Sequence, residues 1–366
     1  MRLLPWMLAA LLAAGLAGCQ GANPYADPAL RHRTPEGFRN NYTDSVPGTA
    51  GDLWRWRWNA WRNDLPPAPL HPTPTVTPDL AAIRANANAA AMQPAVTWIG
   101  HATALVQASG LNVLTDPMFS ERASPVQWFG PERSQPPGVA LADLPPIDVV
   151  LISHNHYDHL DVASVEALNA RAKGATLFLV PLGLKPWFAQ LGITNVRELD
   201  WWQAETVRGV AFNLTPVQHW SARSFNDRRQ TLWGGWAVFG PGFHWYFSGD
   251  SGYSADFKDT RTRFAAQEAT GGGFDLALIA VGAYEPVWFM RGQHVNPAEA
   301  VQVHRDLGAK RSMGVHWGTF NLTDEALDVP PVALASARDA ETLPADVFFV
   351  LAIGETRRLP SRFPNR

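Results

Sequence analysis

From residue 95 onward the chain alternates short apolar runs with turn signals. Residues 96–99 and 104–107 read as strands, and Ser109-Gly110 turns the chain into a third at 111–114. Further runs at 149–153, 176–180, 210–214, 236–239, 245–247 and 276–281 have the length and β-branched or aromatic content of strands. Two segments carry helical start signals. Val162–Arg171 follows Asp161 as its cap, and Pro297–Leu307 follows Asn296 with proline in the first turn. Strands with helices spaced between them predict one α/β catalytic domain over residues 95–360.

The chain ahead of that domain has a different rhythm. Residues 20–50 are polar, with Pro24, Pro28, Pro35 and Pro47, and read as a tether. Trp54-Arg55-Trp56-Arg57-Trp58, followed by Trp61 and Arg62, places Trp54, Trp58 and Trp61 on one face of a helix, which is expected to pack on the domain, with a helix resting at a membrane interface as the alternative. Residues 65–79 hold six prolines and form a connector, so residues 19–94 read as a tether and N-terminal Trp/Arg-rich and Pro-rich segment. At the start, Arg2 and the uncharged run 3–18 are too short for a bilayer span and read as a leader, residues 1–18.

Composition narrows the functional classes. Of the 366 residues, 46% are hydrophobic and 17% charged, which excludes disorder over most of the length. Thirty Lys and Arg against 33 Asp and Glu leave a balance of −3, which argues against a protein that grips nucleic acid through a basic surface. The one cysteine, Cys19, excludes an intrachain disulfide and a Cys-ligated metal site in the fold.

The strand at 149–153 runs into His154-Asn155-His156-Tyr157-Asp158-His159. Four ligand-type residues in six positions on one loop suit a divalent cation, since protonated imidazoles so close together would repel. In an extended loop His154 and His156 point to the same side, and Asp158 and His159 follow as the chain turns into the next helix. Farther on, His219, Asp250 and His316 each stand at the exit of a predicted strand.

The first of these motifs resembles the His-X-His-X-Asp-His signature of the metallo-β-lactamase superfamily. The resemblance implies an αβ/βα sandwich, two mixed sheets flanked by helices, with metals at one edge. It also implies one metal on His154, His156 and His219 and a second on Asp158, His159 and His316, with Asp250 bridging. Two Zn²⁺ ions are expected from the histidine-rich set, with Mn²⁺ or Fe²⁺ an alternative at one position. The expected chemistry is hydrolysis by a metal-bridging hydroxide, with Asp158 or Asp250 as catalytic residues orienting it or shuttling its proton.

Flanking motifs narrow the branch. Trp98-Ile99-Gly100-His101-Ala102-Thr103, Leu114-Thr115-Asp116-Pro117, Gln218-His219-Trp220, Ser248-Gly249-Asp250-Ser251-Gly252-Tyr253, Gln293-His294-Val295-Asn296-Pro297 and His316-Trp317-Gly318-Thr319-Phe320 occur in order. As a set they resemble the zinc phosphodiesterases typified by N-acyl-phosphatidylethanolamine-hydrolysing phospholipase D and their bacterial lipoprotein relatives. That resemblance implies cleavage of a phospholipid on the head-group side, giving phosphatidic acid and an N-acylethanolamine. It further implies Asp116 as a carboxylate behind the histidine loop, Gln293 and His294 near the substrate phosphate, and Ser124 facing the site. His101 reads as a strand-end core histidine, with a place behind the metal ligands as the alternative. Leu16-Ala17-Gly18-Cys19 resembles a bacterial lipoprotein signal, implying a lipid on Cys19 and, with Gln20 following, the outer membrane on its periplasmic face. The alternatives are a lactonase or other ester hydrolase of the same fold, and a surface lipoprotein that binds metal without catalysis.

Overall fold

The computed structural model describes residues 23–43, 48–89, 91–224, 226–269 and 272–362. Cys19 and the leader lie outside these residues. A short hairpin, β1 (Arg33–Thr34) and β2 (Gly37–Phe38), comes first. The next strands are β3 (Ala95–Gly100), β4 (Thr103–Ala108), β5 (Leu111–Thr115), β6 (Val149–Leu151), β7 (Leu177–Pro181) and β8 (Val196–Leu199). The second half adds β9 (Ala204–Val207), β10 (Val210–Thr215), β11 (Gly235–Phe239), β12 (His244–Phe247), β13 (Leu276–Ala280), β14 (Ser312–Val315) and β15 (Phe348–Phe349). The last strand, β16 (Thr356–Arg358), returns to pair with β3. The result is two seven-stranded sheets, ordered β16-β3-β4-β5-β6-β7-β8 and β15-β14-β13-β12-β11-β10-β9. Both mix antiparallel hairpins with parallel pairs, the latter joining β5 to β6, β7 and β8 and β12 to β13, β14 and β15.

Side-chain alternation explains the layering. Val96 and Trp98, Ala104 and Val106, Val113, Val149 and Leu151, and Leu179 point into a core shared with Phe212, Trp236, Val238 and Phe247 of the second sheet. Their neighbours Leu105, Leu114, Val150, Phe178 and Val180 point the other way, onto Val165, Leu168 and Phe188 of the helices Val162–Arg171 and Lys185–Gln190. Strands buried on both faces read as continuous apolar runs, which is why 149–153 and 276–281 stood out in the sequence. The helix Pro297–Leu307 is capped by Asn296 with Glu299 in a capping box, and Asp161 caps Val162–Arg171 through Ser164 N. The short β8, β9, β15 and β16 are additions to the predicted strands.

The parts ahead of residue 95 depart from expectation. Residues 23–43 are not a loose tether. His32 Nε2 lies 2.7 Å from Asp200 Oδ1, Arg33 Nε donates to Asp200 Oδ2 at 2.9 Å, and the His32 ring stacks on Trp201. The helix Ala50–Arg62 forms behind a Thr49–Asp52 capping box, yet it buries Trp56 and Ala60 and leaves Trp54, Trp58 and Trp61 exposed. The expected packing face was the wrong one. A single large indole, stacked on Phe289 and bonded to Asp324, holds the helix while the three-Trp stripe turns outward.

Candidate metal centre

The polarity of the sheets sends the key strand exits to one edge. β3, β5 and β6 run in one direction in their sheet, as β10, β12, β13 and β14 do in theirs. Their C-terminal ends carry His101, Asp116, the loop 154–159, His219, Asp250 and His316. His101, Asp116 and His316 have left-handed backbones, with φ of 52°, 31° and 62°. Such conformations cost non-glycine residues energy and persist where surrounding structure enforces them. The sheets meet closely here. A Cβ on Gly249, just before Asp250, would lie 2.5 Å from the Ser153 Cβ.

Three imidazoles form one cluster. His154 Nε2 lies 2.8 Å from His156 Nδ1, which lies 3.3 Å from His219 Nε2. Their outer nitrogens define the tautomers. His219 Nδ1 is 3.0 Å from the Gln293 carbonyl, which only accepts, so Nδ1 carries the proton and Nε2 presents a lone pair. Ser153 Oγ donates to Asp116 Oδ2 at 2.6 Å, so it accepts from His154 Nδ1 at 2.8 Å, again leaving Nε2 bare.

A second cluster adjoins the first. His159 Nε2 is 3.1 Å from His316 Nε2, 3.0 Å from Asp250 Oδ2 and 3.3 Å from Asp158 Oδ2. His316 Nε2 is 3.2 Å from Asp250 Oδ1 and 3.4 Å from Asp158 Oδ2. His159 Nδ1 donates to Asp116 Oδ2 at 2.7 Å, which turns its Nε2 to the cluster. Asp250 reaches both groups, since its Oδ2 is also 3.9 Å from His154 Nε2 and 3.8 Å from His219 Nε2.

The donor set fits divalent cations. His154, His156 and His219 each offer one atom within 4.8 Å of the others, as do His101, Asp158, His159 and His316, and also Asp250, His294 and His316. In the three-histidine cluster, lone pairs facing lone pairs at these separations are satisfied by a shared cation, and in the second the imidazoles and carboxylates together make a donor set for another. Buried Asp250 Oδ1, His294 Nδ1 and His316 Nδ1 have no hydrogen-bond partner among the described residues. Electrostatics differ between the clusters. Burial, then the neighbouring imidazoles, hold His154 well below the usual histidine range. Burial likewise pushes His156 down to about 4 and His219 well below its ordinary value, although nearby carboxylates oppose it. For His159 burial is outweighed by Asp250 and Asp158, which raise it well above its ordinary value. His316 is lifted to about 9 by Asp250 and by its bonds to Asp158 and Asp250, against burial. The same imidazoles hold Asp158 and Asp250 well below the carboxylate range despite burial.

The structure thus brings together His154, His156, His219, Asp158, His159, Asp250 and His316, with Asp116 behind them. His294 joins them, its Nδ1 3.9 Å from Asp250 Oδ2 and its ring 5.3 Å from that of His219. Three expectations change. His101 is not merely a core residue, because its Nε2 lies 2.9 Å from Asp158 Oδ2. Gln293 accepts from Trp220 Nε1 at 2.6 Å through its side chain, with the Trp220 ring 4.4 Å from that of His156, and serves His219 through its carbonyl. Ser124 is in no contact with either cluster. Its loop folds on itself through the Arg122–Glu132 bridge, and Ser124 Oγ meets Val126 N at 3.4 Å.

Three contributors were not anticipated. Ser153, directly ahead of the histidine motif, relays Asp116 to His154. Arg223 clasps the loop, donating to the carbonyls of Asn155 and Leu160 at 2.9 and 2.6 Å. Asn40 pairs with the backbone of His219. Only Ser153 carried a signal, through its position. The clusters reach solvent at His156, Asp158 and His294, which are partly exposed, while the other ligating candidates are buried.

Residues 111–317 match the β-lactamase superfamily domain. The chain is 40% identical over 274 residues to N-acyl-phosphatidylethanolamine-hydrolyzing phospholipase D 1 of Caenorhabditis elegans, covering 71% of this chain and 74% of that protein. It is 37% identical over 238 residues to the mitochondrial N-acyl-phosphatidylethanolamine-hydrolyzing phospholipase D of Saccharomyces cerevisiae, covering 63% of this chain and 48% of the yeast protein. The crystal structure of isothiocyanate hydrolase from Delia radicum gut bacteria superposes with a TM-score of 0.55 at 20% identity, over 72% of this chain and 98% of that one. That likeness bears on the fold alone.

Proposed function

Because the chain belongs to the metallo-β-lactamase superfamily, we propose that it is a phospholipase D-type phosphodiesterase acting on N-acyl-phosphatidylethanolamine or a related phospholipid, with two Zn²⁺ ions at its paired clusters. At the coarser level it is a metal-dependent hydrolase of the metallo-β-lactamase fold. The observation that carries the reading is Asp250 standing between a three-histidine cluster and a second cluster of His159, His316 and Asp158. The similarity to the worm and yeast enzymes supports the phospholipid substrate.

Cations held there would supply a water acidified toward neutral pH and positive charge on the phosphoryl oxygens. The chain's own residues do the rest. Asp116 holds His159 directly and His154 through Ser153, so a single carboxylate orients one imidazole in each cluster. Asp250 and Asp158 stay ionised and are placed to accept a proton from attacking water. His294, at the partly open side, is pushed by burial down to about 4 and is therefore neutral near pH 7. A neutral imidazole there can donate to a phosphoryl oxygen or to the departing head-group alkoxide.

The test is to determine the metal content of the protein, then incubate it with N-acyl-phosphatidylethanolamine and identify products by mass. About two metals per chain with release of phosphatidic acid and N-acylethanolamine supports the proposal. Metal-loaded protein that cleaves a lactone or carboxylic ester, and no phosphodiester, sinks the phosphodiesterase. His156→Ala, Asp158→Asn and Asp250→Asn should each abolish turnover. From Leu16-Ala17-Gly18-Cys19 we further propose an exported lipoprotein held on the periplasmic face of the outer membrane. Cys19→Ser should release it from the membrane fraction, and a variant that still fractionates as the parent does would refute the lipid anchor.

A further inference from the structure

The helix Ala50–Arg62 has two opposite faces. Trp56 and Ala60 pack inward, and half a turn away Trp54, Trp58 and Trp61 are 56%, 55% and 62% exposed. Exposed aromatic residues of this size, grouped on one stripe, mark an interaction surface. The charges that flank the stripe on the helix itself are of one sign. Arg57 lies on one flank and Arg55 and Arg62 on the other, all exposed. The helix's one acidic residue, Asp52, is engaged in the Thr49 cap on the inward side. Beyond the helix, exposed Trp288 and Val287 extend the apolar surface, with the Arg55 guanidinium 4.7 Å from the Trp288 ring centroid.

We propose that this stripe docks on an anionic phospholipid surface. Indole rings favour the head-group level of a bilayer, where an apolar body and a polar N–H are both satisfied, and arginines flanking them meet lipid phosphates. A second copy of the chain is a poorer occupant, because symmetric pairing of this face sets three arginines against three. The helix is also rigidly coupled to the candidate metal centre. Trp56 donates to Asp324 Oδ1 at 2.8 Å and stacks on Phe289 at 5.0 Å. Phe289 belongs to the short helix Val287–Met290, and the Met290 carbonyl accepts from Gln293 N and His294 N at 2.8 and 2.9 Å. The docking face is thereby fixed to the segment that supplies the His219 acceptor and His294. A lipid surface under the tryptophans would hold the open side of the site in a defined orientation to the membrane. This proposal concerns where the chain rests and holds whatever ester it cleaves.

The test uses the full chain with Cys19→Ser, which removes any acyl chain, and vesicles of phosphatidylcholine with or without phosphatidylglycerol. Cys19 is the only cysteine, so Trp58→Cys in that background places an environment-sensitive dye on the stripe, and Glu166→Cys places it on an exposed control position. The position-58 dye should brighten and shift blue on anionic vesicles, less so at high salt, while the control stays unchanged. In unlabelled protein, combined Trp54→Ala, Trp58→Ala and Trp61→Ala should weaken vesicle binding about tenfold or more, and so should Arg55→Glu, Arg57→Glu and Arg62→Glu together. Far-UV circular dichroism and an unchanged thermal unfolding midpoint report that each variant is folded. A position-58 dye that does not respond to vesicles overturns the proposal. So does a parent that self-associates through this stripe without binding vesicles.

Discussion

Asn40 and His219, 179 residues apart in the chain, are joined by two hydrogen bonds. The Asn40 amide donates from Nδ2 to the His219 carbonyl, and its Oδ1 accepts from the His219 N–H, both at 3.0 Å. One side chain thus stands in for a neighbouring strand at the point where the chain leaves β10. Trp233 Nε1 also donates to Asn40 Oδ1, at 3.1 Å. The N-terminal segment therefore helps to hold a candidate metal ligand.

Asn40→Ala should leave two buried backbone groups unpaired and let His219 shift. A loss of about 1–3 kcal/mol in stability is expected, together with a tenfold to hundredfold fall in zinc affinity at the three-histidine cluster. Competition with a chromophoric chelator measures the second effect and chemical denaturation the first. Unchanged zinc affinity would show that His219 is held well enough by the Gln293 carbonyl alone.

How much of this was legible follows from where the partners lie. His154, His156, Asp158 and His159 share one loop, so their spacing disclosed them, and His219, Asp250 and His316 showed themselves by standing at strand exits. Asn40 had no such mark, because its role comes from a tertiary contact with no counterpart in local pattern. Local pattern leaves His101 undecided for the same reason, since its proximity to Asp158 depends on β3 and β6 ending at one edge. Counting tryptophans points to the stripe of Trp54, Trp58 and Trp61 on the helix Ala50–Arg62, whereas the buried indole is Trp56, which donates to Asp324. Strands β8 and β16 are hidden because charged residues, Arg197 and Glu198 in β8 and Arg357 and Arg358 in β16, occupy their open positions, as edge strands allow.

Asp116 accepts from Ser153 N at 2.7 Å, from Ser153 Oγ and from His159 Nδ1, three donors on one carboxylate. Asp116→Asn preserves shape but replaces one acceptor oxygen with a donor. At least one of the three bonds is lost, and His159 or Ser153 must rotate. The expected outcome is a tenfold to hundredfold weaker second metal with secondary structure intact by circular dichroism. Retention of two tightly bound metals would show that the imidazoles are oriented without this carboxylate.

His101 Nε2 lies against Asp158 Oδ2, and its ring centroid is 4.0 Å from that of His316. It acts as a positioning residue, holding Asp158 toward the second cluster. His101→Ala should lower kcat by tenfold or more and weaken the second metal, while His101→Gln, which keeps an N–H donor, should recover part of both. Equal damage from the two variants would point to packing against His316 and Phe320 as the whole of its role.

The two clusters differ in how they should meet protons. In the metal-free protein burial and mutual repulsion keep His154, His156 and His219 neutral at pH 7, with lone pairs available. His159 and His316 are raised, the latter to about 9, chiefly by Asp250 against the pull of burial, so they are protonated at pH 7. A cation entering the second cluster must displace those protons, whereas one entering the first displaces none. Affinity at the second cluster should therefore rise with pH above neutrality, through the value of about 9 to which His316 is lifted, while the first stays flat from neutral pH down to about pH 5. Zinc titration calorimetry in buffers of different ionisation enthalpy counts the protons released per metal. One to two protons at pH 7 for one binding event and almost none for the other is the expected result. Equal release from both would mean that the carboxylates do not divide the site electrostatically.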